Sequence, residues 1–357
     1  MIQELSQQKL PLESVSATDP IVLCASDDNY VKPLAVTLLS AVNALRDGSQ
    51  LHVLLMDGGI SESNWTGLRE TLFDLPITVH VLRPDRQEIA DLGISHHITH
   101  TAYFRLLAAR LLPDSIKKVI YLDSDVLVKD DLTELWNAEL GNHYCLAAVD
   151  IACPYVDAYA ARSTLAPEQR TRLNKAIPHL AAIAPVPNWK ALELDGAEPY
   201  FNSGVMVLNL ARWRAESIDK RLLACLRDNR NFVWCWDQYA LNVVFAGQWG
   251  KLPARWNQGA HVYEYPDEGS SPIDEAEFIA MRDDPALIHF TTEFKPWDFQ
   301  PCHPLRDRFY DFLDQTAWSG WRPAKPDFDL KRAWDLTAAH WIRKWVVQYR
   351  KFRSMFA

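Results

Sequence analysis

Short apolar runs alternate with helix-length amphipathic stretches through the first half of the chain. PIVLCAS (20–26), LHVLLMD (51–57), ITVHVL (77–82) and KVIYLD (118–123) read as buried strands. VKPLAVTLLSAVNAL (31–45) carries a helical period, a second helical stretch opens at the Ser61–Glu62–Ser63 turn, and TAYFRLLAARLL (101–112) reads as the helix before the fourth of these strands. Continuous apolar strands separated by helices predict an α/β fold with a mostly parallel sheet, covered by helices on both faces. From 151 to 199 the pattern loosens and Pro and Ala accumulate, which predicts loops and small helices over a sheet edge. Order returns with FNSGVMVLNL (201–210), a strand leading into a helix, and with the strand ALIHF (286–290). There is no internal repeat, no GxGxxG and no GxxxxGK[ST], so ordinary dinucleotide and P-loop readings lack their motif.

Composition narrows this only a little. At 48% hydrophobic and 23% charged the chain reads as globular, and a net charge of −9 gives no general reason to expect nucleic acid as a partner. The six cysteines form no CxxC and several fall in apolar runs, so reduced, buried thiols in a reducing cytosol are expected. Residues 1–19 are polar and lack an apolar core, so no signal peptide is expected. No apolar run approaches the roughly 18–20 residues that a membrane span needs.

The sharpest chemical feature is VIYLDSDVLV (119–128), an apolar strand ending in Asp123-x-Asp125. Where a backbone leaves the pleat, two carboxylates one residue apart can reach one hard divalent cation that keeps positions open for phosphate oxygens. Three readings stand on these residues alone: a nucleotide-sugar transferase, a Mg²⁺ phosphohydrolase of the haloacid dehalogenase type with Asp123 as nucleophile, and a polar turn capping the next helix. A calcium loop is excluded, because Val128 occupies the sixth position, where the sharp turn needs Gly. Asp123 follows at least four elements, whereas the dehalogenase nucleophile opens its domain. A second acidic cluster, IVLCASDDNY (21–30), ends the first strand.

IVLCASDDNYVKPLAVTLLSAV resembles the amino-terminal segment of family 8 retaining glycosyltransferases, among them bacterial lipopolysaccharide galactosyl- and glucosyltransferases and, more distantly, glycogenin. THTAYFRLLAARLLPDSIKKVIYLDSDVLVKDDLTELW (99–136) is similar to the family's central block, and YFNSGVMVLNLARWR (200–214), WDQYALNVVF (236–245) and HFTTEFKPW (289–297) follow in its order over residues 20–300. The resemblance implies a Rossmann-like, GT-A type nucleotide-sugar fold and Mn²⁺ (Mg²⁺ as the alternative ion) held by Asp123, Asp125 and His289. It implies uridine against Ala25, Asp27 and Asn29, with Tyr30 stacked on uracil, and the diphosphate on Lys295. Arg105, Asn202 and Asp237 would bind the donor sugar, with Asp150 a weaker candidate, and Gln238 would lie beneath the anomeric carbon. His97 aligns with a position lining the cleft. The implied reaction is Mn²⁺-dependent transfer of glucose or galactose from a UDP-sugar to a hydroxyl of a glycan or glycolipid, with retention. A catalytically inactive UDP-sugar- or glycan-binding protein is the non-enzymatic rival. Each residue also has a plain structural use: His289 as a satisfied core histidine, Tyr30 as packing, Asp27 and Asp28 as caps of the helix near Val31, Asn202 in a turn and Asp237 as a cap. Two departures stand out: Thr292 occupies a usual Gly position, and Ser203 a common Ala position.

Residues 331–357 carry seven Lys/Arg against one Asp, a net +6 on an otherwise acidic chain. Trp334, Ala338, Trp341, Trp345, Tyr349, Phe352 and Phe356 recur every three or four residues, which predicts a basic amphipathic helix lying on an anionic membrane surface or packed on the body. The expected organisation is a polar extension (1–19), a catalytic domain (20–322), and a Pro-rich joint with the tail (323–357), placed in the cytoplasm and peripherally on the inner face of a membrane.

Overall fold

The computed structural model describes residues 2–4, 16, 18–93, 99–164, 166–168, 170–171, 184–291, 295–298 and 303–324. His97, Thr292 and the tail 331–357 lie outside the described residues. Among the described residues eleven strands form two sheets: β1 (Ile2–Glu4), β2 (Ile21–Ser26), β3 (Leu51–Asp57), β4 (Ile77–Leu82), β5 (Lys118–Leu122), β6 (Val126–Val128), β7 (Cys145–Val149), β8 (Phe201–Asn209), β9 (Gly250–Lys251), β10 (Gln258–Gly259) and β11 (Leu287–His289). The large sheet runs β1-β4-β3-β2-β5-β8-β7-β9, and the small one β10-β11-β6. All pairings from β1 through β5 are parallel, and β8 runs antiparallel to both neighbours.

The longer helices among the described residues are α1 (Val31–Asn43), α2 (Glu62–Thr71), α3 (Ile218–Asp228), α4 (Trp236–Val244), α5 (Glu275–Asp283) and α6 (Arg306–Leu313). Alternate strand residues point to opposite faces. Leu23, Leu54 and Tyr121 therefore join one core with α3 and α4, while Val22, Val53 and Ile120 join another with α1. A sheet buried on both sides explains the unbroken apolar runs. The expected strands and helices appear within one or two residues at most ends. The exception is 101–112, which winds as a 3₁₀ helix over His100–Leu107 before a short α-turn at Ala108–Leu111. There Arg105 Nε turns back onto Ala102 O (3.1 Å) while its other nitrogens reach into the interior. Ile2–Glu4, within the stretch read as a polar extension, adds an edge strand beside β4.

Topology places the chemistry. Parallel β2 and β5 end on the same side of the sheet, and β8, being antiparallel, begins there. Leu122 sits opposite Val205, and Asp123 N–H donates to Gly204 O (2.8 Å). In the small sheet His289 pairs with Val126, and Phe290 N–H donates to Asp125 O (3.1 Å). Residues separated by more than 160 positions thus meet at one strand exit.

Candidate functional site

The turn Asp123–Ser124–Asp125 is gripped from below by α1. Thr37 Oγ1 lies 3.0 Å from Ser124 O and 2.8 Å from Val126 O, and Ser40 Oγ accepts from Val128 N–H (3.0 Å). Ser124 Oγ donates to Ala25 O (2.7 Å), tying the exits of β5 and β2 together. Two hydroxyl residues three apart on the buried face of α1 are thereby accounted for: they satisfy carbonyls and an amide of the turn and of β6, the edge strand of the small sheet.

Above this turn, His289 Nε2 lies 3.3 Å from Asp125 Oδ1 and 3.7 Å from Asp123 Oδ2. One donor atom from each of the three residues falls within 4.8 Å of the others. Asp123 Oδ1 is held separately by Tyr121 OH (2.8 Å) and Arg105 Nη2 (2.9 Å), leaving Oδ2 toward His289. Asp125 Oδ2 accepts from Lys295 Nζ (2.7 Å), which also donates to Phe290 O (2.5 Å). Burial alone would push the Asp125 carboxyl up, but Lys295 and His289 hold it well below the usual carboxylate range. The imidazole packs against a glycine: a Cβ on Gly204 would fall 2.1 Å from His289 Cε1 and 2.8 Å from Asp123 Oδ2. Two carboxylates and an imidazole gathered this closely form a donor set suited to a divalent cation.

Beside this trio, Arg105 bridges two acids. Its Nη2 meets Asp123 and its Nε lies 2.8 Å from Asp237 Oδ2, with its plane 4.3 Å from the Tyr121 ring. Burial pushes Asp237 up to about 6 against the pull of Arg105. Asp237 and Gln238 open α4 just after Trp236, which sits at φ 45°. Gln238 is fixed at both ends: Nε2 donates to Asp150 Oδ2 (3.0 Å) and Oε1 accepts from Ser203 N–H (2.9 Å). Asn202 Nδ2 donates to the same Asp150 oxygen (3.0 Å). Asp150, ranked lowest among the expected sugar-binding residues, is the hub that aligns both amides.

At the exit of β2, Asp27 accepts from Asn29 N–H (3.0 Å) and Thr99 Oγ1 (2.8 Å). Asp28 does not cap α1; it accepts from Ser61 N–H and Asn64 Nδ2 (both 2.7 Å) and ties this lip to α2. The Ser61 amide, more than any other contact, holds the Asp28 carboxyl below its ordinary value. Tyr30 meets Trp297, of the Lys-Pro-Trp block, edge to face at 5.8 Å. Ala25, Asp27, Tyr30, Arg105, Asp123, Asp125, Asp150, Asn202, Asp237, Gln238, His289 and Lys295 all line one cleft of about 460 Å³. Asn29 is exposed and outside its lining. Sequence reading missed Tyr121, Thr99, Trp234, His261 and Asn257, whose local patterns carry no signal; Tyr121, for one, reads as an ordinary strand aromatic.

The chain matches the model of "Glycosyl transferase family 8" over residues 20–300. It is 28% identical to General stress protein A of Bacillus subtilis, covering 84% of this chain and 94% of that protein. It is 25% identical to a lipopolysaccharide 1,2-glucosyltransferase of Escherichia coli K12, over 75% of this chain and 70% of that one. The crystal structure of the galactosyltransferase LgtC with donor and acceptor sugar analogs superposes with a TM-score of 0.65 at 25% identity, covering 83% of this chain and 96% of that one. The sheet order, the Asp-Asp-His trio at the strand exit and these matches agree: this chain is a GT-A fold transferase and belongs to glycosyl transferase family 8.

Proposed function

We propose that this protein is a Mn²⁺-dependent retaining hexosyltransferase that moves glucose or galactose from a UDP-sugar to a hydroxyl of a glycan or glycolipid. The observation that carries the reading is the convergence of Asp123, Asp125 and His289 with Lys295 in the one cleft that also holds Asp27 and Tyr30. A bound Mn²⁺ supplies Lewis-acid stabilisation of the departing diphosphate. Lys295 adds a point charge for the same oxygens. Uridine occupies the lip at Ala25, Asp27 and Asn29, with uracil on Tyr30. Arg105, Asn202 and Asp237 bind the sugar hydroxyls, and Gln238 lies beneath the anomeric carbon. Gln238 is an amide with both ends bonded, and Asp237 is paired with Arg105, so neither is a ready nucleophile. Same-face displacement assisted by the leaving phosphate is the mechanism these residues favour. The names of the relatives, a glucosyltransferase and a galactosyltransferase, support either hexose as donor.

The test is a panel of UDP-sugars incubated with Mn²⁺ or Mg²⁺ without acceptor. UDP release from one hexose donor, lost on chelation, supports the reading. Release of inorganic phosphate from simple phosphate esters supports a phosphohydrolase instead, and binding without turnover an inert scaffold. The basic stripe 331–357 extends the proposal to an anionic membrane surface, where each Lys or Arg is worth on the order of 1 kcal/mol. No helix among the described residues is long and apolar enough to cross a membrane. Deleting 331–357 should release the protein from anionic vesicles in co-sedimentation and leave UDP-sugar hydrolysis nearly unchanged; retained vesicle binding would defeat the surface reading.

A further inference from the structure

We infer that Asn257 is a positioning residue for His289: it accepts a hydrogen bond from Nδ1–H and so turns Nε2 toward the two aspartates. The inference rests on the metal reading above only for its consequence; its geometric basis does not use a metal.

Asn257 ends a short 3₁₀ turn (Ala254–Asn257) and is 3% exposed; His289 is 5% exposed. An imidazole nitrogen and an amide oxygen or nitrogen in contact do not by themselves reveal which carries the proton. Here the chain of contacts removes the ambiguity, because it begins at groups whose roles cannot be exchanged. The backbone N–H of Gly204 is a donor and lies 3.0 Å from Asn202 Oδ1. The Asp150 carboxylate is an acceptor and lies 3.0 Å from Asn202 Nδ2. Asn202 is thereby oriented from both ends. Its Oδ1 also meets Asn257 at 2.9 Å, so the Asn257 atom facing it is the donor Nδ2. Asn257 Oδ1 is left facing His289 Nδ1 at 2.9 Å, and that nitrogen carries the hydrogen. With Nδ1 engaged by Asn257, Nε2 is the ring nitrogen directed at Asp125 Oδ1 and Asp123 Oδ2.

The direction of this relay matters for the site. A ring whose Nδ1–H is taken up by Asn257 has only Nε2 to offer a cation, and it is held facing both carboxylates. A second group that orients a ligand in this way typically raises metal affinity 10–100-fold. Asn202 and Gln238 are both held by Asp150, so the residues expected at the sugar and the ligand of the cation share one hydrogen-bond chain.

The test uses the full chain, ¹⁵N-labelled at histidine, free of metal and UDP, at about pH 8, above the ordinary histidine range. Long-range ¹H–¹⁵N correlation, with His289→Gln assigning the signal, should show Nδ1 protonated and hydrogen-bonded. In Asn257→Leu that Nδ1 signal should leave the hydrogen-bonded range or disappear, and Mn²⁺ affinity measured by calorimetry with saturating UDP should fall roughly 10–100-fold. Asn257→Asp retains an acceptor for Nδ1–H and should keep both the Nδ1 proton and the affinity, whereas Asn257→Leu fills similar space without one; a residue needed only for packing would tolerate both. A wild-type ring with no proton at Nδ1, or an Nδ1 signal unmoved in Asn257→Leu, overturns the inference. An Nδ1–H ring in a protein that binds no Mn²⁺ upholds the relay and defeats the metal reading instead.

Discussion

At the metal end of the cleft Asp125 and His289 are held by side chains from distant parts of the chain and Asp123 by both Tyr121 and Arg105, whereas at the lip Asp27 rests on its own turn and on one hydroxyl, Thr99. Lys295 reaches Asp125 from 170 positions away and Thr37 reaches Ser124 from 87. The metal end is also the drier: Asp125 and His289 are buried, while Asp28 and Asn29 are exposed. Over-determined, desolvated groups are where charge is worth most and where a lost partner costs most. Substitutions at the metal end should therefore disturb both chemistry and stability, and those at the lip affinity alone.

The largest effect is expected at Asp125. Asp125→Asn is nearly isosteric, removes a ligand charge and leaves Lys295 without its ion pair; turnover should fall by about 10³-fold or more while the circular-dichroism spectrum is unchanged. Wild-type activity at limiting Mn²⁺ would break the comparison at once. Asp237 offers a pH signature. Its pKa rises from 3.8 to about 6 on folding, so the folded state binds that proton more tightly. The associated stability, up to about 3 kcal/mol, is present near pH 4 and lost as the pH rises through about 6. Denaturant melts from pH 4 to 6.5 should show the wild type losing more stability across that window than Asp237→Asn; parallel curves would count against it.

Gly204→Ala should cost roughly 1–3 kcal/mol by overpacking and weaken Mn²⁺ binding as well, since the new methyl group meets both His289 and Asp123. Calorimetry beside a thermal melt reads both effects; loss of stability with unchanged Mn²⁺ affinity would separate Gly204 from the trio. Thr37→Val keeps the shape and removes the hydroxyl under the Asp123–Asp125 turn, for an expected loss of about 1–3 kcal/mol. Smallest in stability is Asp27→Ala, which should lower UDP affinity at saturating Mn²⁺ and leave both the Mn²⁺ requirement and the melting temperature nearly unchanged. Unchanged UDP affinity would return Asp27 to a purely local role in its turn.

The same contrast explains what the sequence made legible. Strands β2 to β5 are continuous apolar runs and declare themselves, and Asp123-x-Asp125 and Asp27–Tyr30 are contiguous, so a strand exit announces them. Lys295 and His289 were reachable through ordered blocks whose positions repeat within a family. Asn257, Tyr121, Thr37 and Ser40 were not, because their roles exist only after β8 runs antiparallel to β5 and α1 packs beneath the turn. Asp28 shows the limit from the other side: an acid before a helix reads as that helix's cap, yet it serves α2, 33 positions on. The strand Cys145–Val149 escaped notice because YCLAAV is short and sits before a loosened region.

The central claim is that Asp123, Asp125 and His289 hold one divalent cation against a nucleoside diphosphate. Crystals grown with UDP and Mn²⁺, measured at the manganese absorption edge, test it most directly. A single anomalous peak at about 2.0–2.3 Å from one oxygen of each aspartate and from His289 Nε2, with UDP oxygens completing the shell, is the predicted result. UDP in the cleft with no peak among these three residues, or a peak bound elsewhere, would contradict it.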